Sequence, residues 1–83
     1  MAFVITKIYF DELNEYEKKL LVKHEAIKNE KHKFKFRMFD DDGILYFEGL
    51  SFVPNTFAPL DEIGVSYGCT EIHYIVNGKF EQL

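Results

Sequence analysis

Asn77-Gly78 stands between Thr70–Val76 and Lys79–Leu83, two runs that read as strands. Both turn residues tolerate positive φ, so the pair predicts a two-residue β-hairpin with a type I′ turn. A second hairpin is legible upstream. Lys33–Phe39 alternates, with Phe34, Phe36 and Met38 on one side and Lys33, Lys35 and Arg37 on the other; this is the pattern of a half-buried strand. Asp40-Asp41-Asp42-Gly43 supplies a type I turn with Gly43 at positive φ, and Ile44–Glu48 the return strand. A four-residue loop sets Phe39 against Ile44, Met38 against Leu45, Arg37 against Tyr46, Phe36 against Phe47 and Lys35 against Glu48. Slipping by one residue would put Phe36 opposite Glu48 and turn Phe47 to the charged side. Two such hairpins commit the chain to an antiparallel sheet.

Around them the pattern is mixed. Ala2–Tyr9 is β-branched and aromatic and predicts a first strand. Asp11 suits a helix N-cap, and Leu13, Tyr16, Leu20 and Ile27 share a narrow arc of a helix running to about Glu30. The lysines of that segment scatter round the wheel, unlike a helix that tracks phosphates. Residues 49–68 hold both prolines and three of the five glycines, yet carry eight large apolar residues. Such a loop must pack across a sheet face or edge, with a short helical turn at Asp61–Ile63. The fold class expected is α+β, with one helix on a mainly antiparallel sheet of four or five strands, in the order β-α-β-β-loop-β-β. Its expected core is Leu13, Tyr16, Leu20, Ile27, Phe34, Phe36, Met38, Leu45, Phe47, Ile72, Tyr74 and Val76.

The 83 residues make one domain, and 47% hydrophobic content at a net charge of −4 excludes intrinsic disorder. One cysteine forms no internal disulfide. The apolar start is about ten residues long and is broken by Lys7, too short for a membrane span and unlike a signal peptide. The expectation is a cytoplasmic protein with no membrane partner.

Motifs for chemistry fail on geometry. With Gly43 sixth in a calcium loop, Met38 falls first and Gly49 twelfth, so neither end supplies a ligand. Cys69, Glu71 and His73 alternate onto one strand face, but residues four apart on a strand are about 13 Å apart. That separation keeps Cys69 from His73 and all three from one metal ion. His24 and His32 lack zinc-like spacing. No phosphate-binding glycine loop or nucleophile elbow occurs. The expectation is a protein that is not an enzyme, with no catalytic residue, cofactor, metal or small-molecule substrate.

Two surfaces remain. Phe39 and Ile44 flank one turn, Ile75 and Phe80 the other, and Tyr46 lies beside the first. One helix covers one sheet face, so Phe39, Ile44, Tyr46, Ile75 and Phe80 form an interaction face for a second copy, for an unidentified protein, or for the 50–68 segment. Charge is divided along the chain, which allows two copies to pair, although such blocks are usually the solvated faces of a monomer. Residues 1–37 hold nine basic residues against six acids, and residues 38–83 hold Lys79 against eight acids. The alternative is weak nucleic-acid binding by Lys33, Lys35, Arg37 and Tyr46, a basic and aromatic strand face beside a repelling acidic turn.

The segments DDDGILYFEG, FAPLD and GCTEIHYIVNGKFEQL resemble a group of short bacterial proteins of plasmid or phage type. The resemblance covers residues 40–83. It implies a small bacterial protein without an assigned function and carries over no catalytic residue.

Overall fold

The computed structural model describes residues 2–9 and 30–83. They form five strands: β1 (Phe3–Ile8), β2 (Phe34–Asp40), β3 (Leu45–Ser51), β4 (Cys69–Val76) and β5 (Lys79–Gln82). Between β3 and β4 lie a short helix, α1 (Ala58–Glu62), and a 3-10 turn (Gly64–Tyr67). The spatial order is β1-β3-β2-β4-β5, with every neighbouring pair antiparallel. The helix expected from Leu13, with Tyr16, Leu20 and Ile27, lies outside the described residues.

Both turns follow from residue chemistry. Asn77 (φ 52°) and Gly78 (φ 84°) join β4 to β5, as their tolerance of positive φ demands. In the other hairpin the Asp40 N–H donates to the Ile44 carbonyl at 3.0 Å, and the Gly43 N–H to the Asp40 carbonyl at 3.1 Å. Asp40 thus ends β2, and the tip is Asp41-Asp42-Gly43, with Gly43 at φ 78°. The Asp40 side chain fixes the turn by accepting the Asp42 and Ile44 N–H groups, each at 2.9 Å.

The register between β2 and β3 differs from the one expected. Phe39 faces Leu45, Met38 faces Phe47, Arg37 faces Glu48, Phe36 faces Gly49 and Lys35 faces Leu50. Tyr46 is the extra residue of a bulge, so past it the pairing has moved by two positions. A two-residue shift keeps each side chain on its face, which is why Phe36, Met38 and Phe47 still point together. It also brings Phe36 over Gly49. A methyl group on Gly49 would fall on the Phe36 ring and on the Val4 carbonyl oxygen, so glycine extends β3 where it reads as the start of a loop.

The core is Phe3, Ile5, Phe36, Met38, Phe47, Leu60, Cys69, Ile72 and Tyr74. Phe36 sits between Phe3 (ring centroids 6.2 Å, edge-on) and Tyr74 (5.9 Å). The 52–68 segment crosses this same face, because β3 and β4 lie on opposite sides of β2. Leu60 enters the core, Tyr67 meets Phe47 edge-on at 5.6 Å, and the Tyr74 hydroxyl donates to the Thr56 carbonyl at 2.6 Å. Gly64 lets the turn approach Met38 closely.

Three assignments to the core are corrected. Leu45 faces Phe39 and is half-buried, while the bulge turns Tyr46 against the core. Phe34 is 37% and Val76 39% exposed. Phe34 opens β2 and Val76 closes β4, so the antiparallel pairing of these strands sets both at the same end of the sheet.

Gly49→Ala is expected to lower the unfolding free energy by about 1–3 kcal/mol, the usual cost of overpacking a core. Urea denaturation followed by circular dichroism checks this; a change within error would mean that Phe36 does not occupy the space above Gly49.

Candidate functional site

On the other face a polar and aromatic row crosses the sheet. Its centre is Glu48 on β3, only 6% exposed. It accepts a hydrogen bond from the Tyr9 hydroxyl and another from Arg37 Nε at 2.7 Å, with Lys35 Nζ 3.7 Å away. Lys7 Nζ stands 4.7 Å from the centre of the Tyr9 ring. Beyond Arg37, the guanidinium lies over the Phe80 ring, 4.2 Å from its centre. His73 packs on Phe39 (4.5 Å between centroids) and bonds Glu71 Oε1 through Nε2 at 3.0 Å. The register accounts for this: Lys7, Glu48, Arg37 and His73 are cross-strand neighbours on β1, β3, β2 and β4.

Burial alone would raise the Glu48 carboxyl, but the bonds from Tyr9 and Arg37 and the nearby Lys35 outweigh it and hold it below its ordinary 4.5. Glu48 is therefore a structural acceptor and a poor base. The Glu48 bond, with some burial and the carboxylate charge, raises the Tyr9 hydroxyl above 10.0. Burial first, and then the charge of Asp40, pushes the Cys69 thiol up to about 12, which makes it an unreactive core group.

The residues expected at an interface are not gathered on one patch. Phe39 and Phe80 are half-buried in the polar row, Ile75 lies beside Phe80, Ile44 is exposed at the acidic turn, and Tyr46 belongs to the core side. The expected nucleic-acid face is also divided. Arg37 and Lys35 attend Glu48, Tyr46 faces away, and Lys33 instead lines a shallow groove of about 320 Å³ with Lys31, Phe34 and Phe52. Cys69 departs from the face of Glu71 and His73, because the Thr70 bulge pairs it with Asp40 on the core side. The three aspartates bring carboxylate oxygens within 4.8 Å of one another, but Asp40 is committed to the turn.

Sequence reasoning missed Glu48 as an organising residue and Phe34 and Val76 as exposed ones. An acid inside the apolar run Leu45–Leu50, with a basic strand across the turn, was the available signal for Glu48. No protein-family model, curated protein or solved structure matches the chain. Among the described residues no helix is long and apolar enough to cross a membrane.

Since the folded Glu48 carboxyl titrates below its ordinary value, its contribution to stability is present above about pH 4.5 and is lost as the pH falls through the folded value. Glu48→Gln is expected to cost about 1–2 kcal/mol at neutral pH and to flatten the acid limb of a stability–pH curve. An unchanged acid limb would assign acid sensitivity to other groups. Cys69 is expected to react with a disulfide reagent at pH 8 at least roughly a hundredfold slower in the native protein than in urea.

Proposed function

We propose that this protein is a non-enzymatic interaction module that self-associates as a homodimer. The observation that carries this reading is an apolar rim at the Asn77-Gly78 end of the sheet. Phe34, Ile75 and Val76 there are 37%, 38% and 39% exposed, and Phe80 is next to Ile75. The 52–68 segment packs on the core face and leaves Ile75 and Ile44 open. Apolar groups clustered at the edge of a small sheet favour contact with another surface, and the basic and acidic halves of the chain favour a second copy.

The cytoplasmic location and the plasmid- or phage-borne bacterial origin belong to the same reading and rest on sequence pattern. So does the expected packing of a helix on the sheet, which falls outside the described residues.

A second reading, weak binding of single-stranded nucleic acid, is favoured by the groove in which Phe34 and Phe52 adjoin Lys31 and Lys33. Fluorescence anisotropy with labelled oligonucleotides at low salt separates the two. Binding that weakens steeply with salt and is lost in Lys33→Glu supports the second; no binding below about 100 μM removes it.

For the first, sedimentation velocity over a concentration series is expected to show a dimer whose affinity depends on salt. A single monomeric species at high micromolar concentration, indifferent to salt, would overturn it.

A further inference from the structure

The outer strand β5 offers a second copy a backbone edge whose hydrogen-bonding phase can be derived. In a two-residue hairpin, the residues flanking the turn form the bonded pair, here Val76 and Lys79. Bonded and non-bonded pairs alternate along an antiparallel ladder, so Tyr74 and Glu81 form the next bonded pair. The Leu83 N–H, which donates to the Ile72 carbonyl at 2.9 Å, continues the same phase. Phe80 and Gln82 therefore turn their N–H and C=O groups away from β4. Among the described residues no strand pairs with that side, and Lys79, Glu81 and Gln82 are exposed.

The side chains of β5 complement themselves. Lys79 and Glu81 project to one face, while Phe80 lies on the other beside Ile75 and beneath Arg37. A two-fold axis through Phe80 lets Phe80 of each copy exchange both backbone bonds with its equivalent. Lys79 of each copy then faces Glu81 of the other, and the two Ile75–Phe80 pairs adjoin. A half-residue shift pairs outward backbone groups with inward ones and forms no ladder, while an axis moved by one residue, onto Glu81 or Lys79, keeps the backbone phase but sets Glu81 against Glu81 or Lys79 against Lys79. A shift by two, onto Gln82 or Gly78, runs off one end of the strand. Lysine on an edge strand ordinarily keeps other strands away; with Glu81 two positions on, one register replaces that repulsion by attraction.

We propose that two copies pair β5 to β5, antiparallel about Phe80, to form a continuous ten-stranded sheet closed by reciprocal Lys79–Glu81 contacts. This rests on the self-association reading and specifies its surface.

Sedimentation of the full chain and two charge variants, joined to amide exchange by NMR, tests it. K79E sets carboxylates against each other at both ends of the interface, and dimerisation is expected to weaken by roughly tenfold or more. E81K repeats the loss with lysines, and the double swap K79E/E81K restores affinity to within about threefold of the original, as reciprocal opposite pairs require. The Phe80 and Gln82 amides are expected to be protected from exchange in the dimer and to lose protection on dilution. A dimer that tolerates both single reversals, or whose Phe80 and Gln82 amides exchange freely, would overturn β5 pairing and leave self-association standing. A wild-type chain that stays monomeric would overturn both.

Discussion

Two adjacent residues of β3 hold the sheet in register. Glu48 needs donors because it is buried; Arg37 supplies one from β2, and Tyr9, just past the end of β1, supplies the other. Gly49 needs no donor but leaves a space that the Phe36 ring and the Val4 carbonyl oxygen close. One requirement is polar and acts on the outer face; the other is steric and acts in the core. Both are met by one pairing of β2 with β3, and the Tyr46 bulge takes up the mismatch between that pairing and the Asp40–Gly43 turn. A misregistered strand would strand a carboxylate without its guanidinium and press Phe36 against a side chain.

The division of labour between the faces follows. The core face takes Phe36, Met38, Phe47, Ile72 and Tyr74 and is roofed by the 52–68 segment. The opposite face is built from paired charges and rings, in which Arg37 bridges the Glu48 carboxylate and the Phe80 ring. Arg37 is thereby drawn away from a phosphate-binding role. Among the described residues, the end of the sheet near Asn77-Gly78 and the outer edge of β5 stay open.

Much of the sheet was legible because strands announce themselves locally. Alternation marked β2, Asn77-Gly78 marked β4 and β5, and β-branched residues marked β1. The pairing was less legible, since a bulge is decided jointly by two strands. Tyr46 and Thr70 carry no mark that either is the extra residue. Gly49 misled because glycine is depleted in strands, and its reason for being there, the ring of Phe36, lies on another strand. Phe34 and Val76 were placed on the correct face yet wrongly inside the core: periodicity assigns a face but not where the opposing layer ends. Glu48 illustrates the same limit, because a buried acid is recognisable only when its donors can be named.

Glu48 and Gly49 set the β2–β3 register, and with it both faces. Cross-strand nuclear Overhauser effects in a uniformly labelled sample address it most directly. Backbone contacts of Arg37 with Glu48, Phe36 with Gly49 and Met38 with Phe47 are the expected result. Contacts of Arg37 with Tyr46, Phe36 with Phe47 and Met38 with Leu45 would contradict it, because Lys35 would then face Glu48 and the Phe36 ring would lose its seat.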